Sequence, residues 1–116
     1  MIQRVAVSDP LLERMVGAIV KHVHPTRVIL FGSRARGDAH PDSDYDLLVE
    51  LETELGYNQA VSAVHDAIRG LPGNVDVLIR KPGELEAQRG DPGRMDWDIA
   101  REGIVLYSLF ASHSLG

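Results

Sequence analysis

At 116 residues the chain is long enough for one domain with a modest core and too short for a second. Its make-up is that of an ordinary soluble protein, 44% hydrophobic and 25% charged, and no apolar run approaches the roughly 20 residues that span a bilayer. A formal net charge of −5 argues against a broad nucleic-acid-binding surface without excluding a nucleotide substrate, and the lack of cysteine removes disulfides and thiolate metal sites.

The start, Met1-Ile2-Gln3-Arg4-Val5, is not followed by the apolar core of a secretory signal. A cytoplasmic protein is the expectation, with one domain over 1–116, a folded core over about 9–107 and a frayed tail at 111–116. The first element is a helix. Asp9 is its N-cap and Pro10 its first residue, where the missing N–H costs nothing. Leu11, Leu12, Met15, Val16, Ile19, Val20 and Val23 repeat at threes and fours as one apolar stripe, and Pro25 ends the run. His22 and His24 at that helix end read as surface residues, since an i, i+2 pair does not converge on one ion.

Arg27-Val28-Ile29-Leu30-Phe31 reads as a buried central strand stopped by Gly32. Residues 33–43 are Gly- and Asp-rich, a helical turn followed by a loop that includes His40. Asp44 to Leu51 is the second strand, with Asp44, Asp46 and Leu48 on one face and Tyr45, Leu47 and Val49 on the other. An amphipathic helix over Tyr57 to Arg69 presents Ala60, Val61, Val64 and Ile68 and stops at Gly70. Val75 to Ile79 is a third strand, with Asp76 its one charge. Residues 82–90 have weak helical character and are expected to be exposed. Asp91-Pro92 opens a last helix that contains Trp97 and runs to about Glu102, closed by Gly103, and residues 104–107 form a short fourth strand. The economical architecture is a small α/β (α+β) domain, a mixed sheet with helices packed on one face.

Three aspartates stand in strands that otherwise want apolar side chains, which is costly unless each is paired or binds a cation. Asp44 and Asp46, two apart on a strand, project the same way from Cα atoms roughly 7 Å apart. A divalent cation between them relieves their repulsion, and Asp76 on a neighbouring strand completes a set of oxygen donors that favours Mg²⁺ or Mn²⁺ over zinc. An Asp-x-Asp triplet alone is commonly a solvent-facing strand start. Here it follows Gly32, where backbone can approach a phosphate closely, and Ser33, which offers a hydroxyl and an N–H. Arg34 and Arg36 add local positive charge. Glu50 and Glu52 compete with Asp76 for the third position, but read as exposed strand-end residues.

Gly32-Ser33-Arg34-Ala35-Arg36-Gly37 with Ser43-Asp44-Tyr45-Asp46 resembles the signature of the DNA polymerase beta-like nucleotidyltransferase superfamily: Gly-Ser, about ten residues, Asp-x-Asp, and a carboxylate on a later strand. It is most similar to the minimal nucleotidyltransferase (MNT) branch, over roughly Asp9 to Tyr107. The resemblance implies a palm-like fold in which Gly32 and Ser33 hold the triphosphate of a nucleotide, ATP first among candidates; Arg34 and Arg36 either contact phosphate or the acceptor, or belong to a solvated turn with Arg36 paired to Asp38 or Asp42. It implies that Asp44 and Asp46 ligate two Mg²⁺ ions, and that Asp76 ligates the catalytic one and helps to deprotonate an acceptor hydroxyl. MNT proteins typically pair with a helical HEPN ribonuclease toxin and, as antitoxin, transfer AMP to one of its tyrosines. The expectation is therefore a protein adenylyltransferase of a type VII-like toxin–antitoxin pair, working as a hetero-oligomer without membrane or direct nucleic-acid binding. The alternatives are an antitoxin that neutralises its partner by stable binding, and nucleotidyl transfer to a small molecule such as an aminoglycoside.

Overall fold

A computed structural model describes residues 9–88 and 95–109 and the backbone of residues 3–4. Strand β1 (Gln3–Arg4) leads to helix α1 (Pro10–Val23). Asp9 is extended, and its Oδ1 accepts from the Leu12 N–H at 3.1 Å, while Pro10 occupies the first turn. At the other end His24 adopts left-handed geometry (φ 53°), and its N–H returns to the Val20 carbonyl. Strand β2 (Arg27–Phe31), the single-turn helix α2 (Ser33–Arg36), strand β3 (Tyr45–Glu50), helix α3 (Tyr57–Ala67) and strand β4 (Val75–Arg80) follow. Helix α4 (Glu84–Gln88), helix α5 (Met95–Glu102) and strand β5 (Ile104–Ser108) complete the described chain. Helix α3 stops two residues short of Arg69, because its last turn loosens at Ile68.

The five strands form one mixed sheet in the order β1-β5-β2-β3-β4. β2 is antiparallel to both β3 and β5, whereas β3 runs parallel to β4 through the α3 crossover and β1 runs parallel to β5. The apolar stripe of α1 (Leu12, Met15, Ile19) and that of α3 (Ala60, Val64) pack on one face, against Val28, Leu30, Leu47 and Val49. Each of these side chains other than Ala60, fully withdrawn from water, contributes about 1.5–3 kcal/mol.

Helices cover both faces of the sheet, where the sequence implies one. Ile29, Leu48 and Val105 point the other way and are covered by Leu85 of α4 and Ile99 of α5. The central strands are apolar on both sides, so the second face also needs a lid. Residues 82–88 are thus not simply an exposed segment, because Leu85 is fully buried. Trp97 is half-buried, with the Arg101 guanidinium 4.1 Å over its ring. The Asp91-Pro92 helix start and the tail at 111–116 lie outside the described residues.

Charged pairs tie α4 and α5 to that second face. Glu50 is only 3% exposed and faces Arg27 across the β2–β3 ladder. Arg27 Nε and Nη2 donate to the Glu50 carboxylate at 3.0 and 2.5 Å, Thr26 Oγ1 donates at 2.6 Å, and Arg27 also reaches Glu86 of α4. Arg80, paired in register with Glu50, makes a two-pronged contact with buried Asp96 of α5 at 2.9 and 2.8 Å. Glu50 therefore belongs to a buried ion pair, contrary to its reading as an exposed strand end, while Glu52 is exposed as expected.

Candidate active site

The strand order brings the sequence motifs to one end of the sheet. β2 runs out at Phe31, whose ladder partner is Asp46, and β3 and β4 both begin there, with Asp46 paired to Asp76. Neighbouring strands lie about 4.8 Å apart, so two aspartates on one face must sit side by side. Asp44 precedes β3 rather than lying in it and is exposed, and its neighbour Tyr45 enters the ladder through an N–H bond to the Asn74 carbonyl.

Gly32 is held at φ 75°, ψ −157°, a backbone region open essentially to glycine alone. A Cβ there would lie 2.1 Å from Asp46 Oδ2, so the turn runs directly against that carboxylate. The turn passes into α2, whose first N–H groups, at Ser33 and Arg34, have no acceptor within the helix. Burial pushes the Asp46 carboxyl above the usual carboxylate range; the charge and hydrogen bonding of Asp76, and then the charge of Asp44, push the same way, with Arg36 opposing them. A divalent cation between the two carboxylates is one way to relieve this crowding.

The donor set fits a hard cation in kind, being all oxygen. Among the described residues no three His, Cys, Asp or Glu side chains already surround one point, so Asp46 and Asp76 form the close pair and Asp44 stands at its margin. A cleft of about 500 Å³ opens alongside, and Asp44, Asp76, His65, Arg69 and residues 70–74 are among the residues that line it.

The two arginines of the motif part company. Arg36 is half-exposed, with long contacts to Asp38 at 3.4 Å and Glu102 at 3.8 Å, and its charge reaches Asp46. Arg34 turns back on the chain. Its Nε and Nη2 donate to the Ser43 carbonyl at 3.1 and 2.7 Å, Nη2 also donates to the Pro41 carbonyl at 3.2 Å, and its guanidinium stacks 4.0 Å over the Tyr45 ring. Tyr45 is buried, as its place on the inner face of β3 implies, but its hydroxyl donates to Asp9 Oδ2 at 2.8 Å. Its place beside Leu47 and Val49 suggests packing alone; a buried tyrosine in place of an aliphatic residue is the signal of a further role, because its O–H needs a partner. His40 is exposed in the loop, where its N–H donates to Ser43 Oγ.

At this end of the sheet the Gly32-Ser33 turn abuts the paired strand aspartates Asp46 and Asp76. The model of the nucleotidyltransferase domain family matches residues 12–99, and the chain belongs to that family. This agrees with the resemblance carried by the Gly32-Ser33 and Asp44-Tyr45-Asp46 motifs. Two solved structures share the fold. A toxin–antitoxin crystallised with AMP-PNP superposes with a TM-score of 0.58 at 19% identity, covering 89% of this chain and 78% of that one. A protein named as a nucleotidyltransferase from Sulfolobus solfataricus gives 0.55 at 23% identity, covering 90% and 93%. No curated protein matches the sequence. Among the described residues no helix is long and apolar enough to cross a membrane.

Proposed function

We propose that this chain is a Mg²⁺-dependent adenylyltransferase that moves AMP from ATP to a tyrosine hydroxyl of a HEPN-type toxin, acting as the antitoxin of a type VII-like pair. The observation that carries the chemistry is the register that pairs Asp46 with Asp76 while Gly32 abuts the Asp46 carboxylate. Gly32 and Ser33 hold the polyphosphate through close backbone approach and N–H donors, and Arg36 supplies a cation beside it. Asp44, Asp46 and Asp76 are the residues that would hold two Mg²⁺ ions, with Mn²⁺ as a substitute. Such cations, when bound, would supply neutralisation of the charge that builds on the entering and leaving oxygens in an in-line attack at the α-phosphorus. Asp76, exposed on the cleft wall, takes up the acceptor's hydroxyl proton as the bond to phosphorus forms and pyrophosphate leaves.

Support for ATP and for a toxin partner comes from the solved toxin–antitoxin with AMP-PNP, an ATP analogue. The open cleft gives a protruding side chain of a docked protein access to Asp44 and Asp76. A cytoplasmic location goes with this reading, since ATP is at hand there.

The test pairs the protein with the product of the neighbouring gene, ATP and Mg²⁺, and reads intact mass. One or more AMP units on the partner is the expected result, lost in Asp44→Ala/Asp46→Ala. Protection from the toxin that persists in the double variant, with no mass change in either case, would replace catalysis by neutralisation through stable binding.

A further inference from the structure

We infer that Arg34, Tyr45 and Asp9 are positioning residues that hold Asp44 in reach of the Asp46–Asp76 pair, and that Arg34 is not a phosphate ligand. The inference rests on the metal-dependent reading of the site given above. Asp44 lies outside the β3 ladder, so sheet hydrogen bonding does not place it directly. It is held from two sides: Tyr45 N–H bonds the Asn74 carbonyl behind it, and the Arg34 fork grips the Ser43 and Pro41 carbonyls ahead of it. The guanidinium is itself fixed by stacking on Tyr45, and the Tyr45 hydroxyl is fixed by Asp9, which caps α1 through its other carboxylate oxygen. A chain of direct contacts thus runs from the N-terminus of α1 through the core face of β3 to the residue before Asp44.

Only a planar fork makes these contacts. A lysine keeps the positive charge but neither donates two parallel bonds to one carbonyl nor stacks on the ring. The variant Arg34→Lys therefore separates the two roles. A phosphate ligand tolerates the change, since lysine also binds phosphate, whereas a brace does not.

The experiment uses the full chain as wild type, Arg34→Lys, Arg34→Ala and Tyr45→Phe. It measures Mn²⁺ affinity by calorimetry without nucleotide, amide exchange at residues 41–44, and kcat and KM for nucleotide at saturating Mn²⁺. Both Arg34 variants are expected to bind Mn²⁺ about tenfold or more weakly, in line with outer partners of metal ligands, and to exchange faster at 41–44. KM should stay within about twofold of wild type, as expected when uniform nucleotide binding is untouched. Tyr45→Phe should shift in the same direction and less. An Arg34→Lys protein that matches wild type while Arg34→Ala raises KM about tenfold returns Arg34 to the phosphate and overturns the inference. So does unchanged Mn²⁺ affinity in every variant. Wild-type protein that binds no Mn²⁺ removes the metal-dependent reading and this inference with it, and is told apart from failure of the brace alone by exchange at 41–44.

Discussion

Replacing Gly32 by alanine probes the site at its tightest point. The native φ of 75° and ψ of −157° must be kept by a residue with a Cβ, at a cost of about 1–3 kcal/mol. For a chain of this size that lowers Tm by roughly 4–12 °C. The added carbon would start 2.1 Å from Asp46 Oδ2 and 3.0 Å from Asp46 Cγ. Ordinary carbon–oxygen contact begins near about 3.3 Å, so the carboxylate or the turn must give by roughly 1.2 Å. Displacements of that order at a reacting centre cost about 100-fold in rate. The assay is nucleotidyl transfer with kcat and KM resolved, beside thermal unfolding of the same preparations. Gly83→Ala is the control: Gly83 also has positive φ, at 87°, but a Cβ there meets nothing within 4 Å. It should lose about 1–2 kcal/mol and keep its activity. Gly32→Ala with kcat within about threefold of wild type would refute the claim that the turn and the Asp46 carboxylate are fitted to each other.

Asp46→Asn should raise Tm at pH 7 in EDTA while transfer is lost. The Asp46 carboxyl is held above its ordinary range, so its ionised form costs folding energy at neutral pH, and wild-type stability should fall as pH rises from the ordinary range through the raised value. Mg²⁺ should then stabilise wild type and leave Asp46→Asn unchanged; an equal Mg²⁺ effect on both would contradict this. Glu50 works in the opposite sense. Burial alone would push its carboxyl up, but hydrogen bonds from Arg27 and Thr26 outweigh that and hold it below the usual range. Its contribution is fully present above the ordinary glutamate pKa and is lost as pH falls through the lowered one. Arg27→Met should cost about 3 kcal/mol in denaturant unfolding at pH 7, leaving the buried carboxylate with Thr26, and should weaken the acid dependence of stability. Leu85→Ala should cost about 2–5 kcal/mol if α4 closes the second face of the sheet; a loss below about 0.5 kcal/mol, as for a surface change, would mean that it does not.

The parts of the fold that could be read from the sequence are those governed by local rules. Asp9-Pro10 and the stripe of α1 announce a capped helix whose apolar face needs a sheet, and Gly32 after five strand residues announces a turn. Asp46 and Asp76 were legible as candidates because a carboxylate inside an apolar strand is costly and calls for a reason. What could not be read depends on residues far apart in the chain. Glu50 looks like a strand end until Arg27, 23 positions earlier, is seen across the ladder from it. Leu85 sits among polar neighbours, and only the apolar Ile29 and Leu48 on the far side of the sheet explain its burial. Arg34 and Arg36, two positions apart, carry the same charge in the motif; their directions differ because one finds the Tyr45 ring and the Ser43 carbonyl. The two-residue β1 offers too little periodicity to be seen without β5 beside it.

The most direct test of nucleotidyl transfer is to supply ATP labelled at the α-phosphorus in one reaction and at the γ-phosphorus in another, with Mg²⁺ and the neighbouring gene's product as acceptor. The account predicts the α label on the protein and the γ label in released pyrophosphate, both abolished by Asp46→Asn. The γ label on the acceptor, or no Mg²⁺-dependent transfer or pyrophosphate from any of the four ribonucleoside triphosphates, would contradict it.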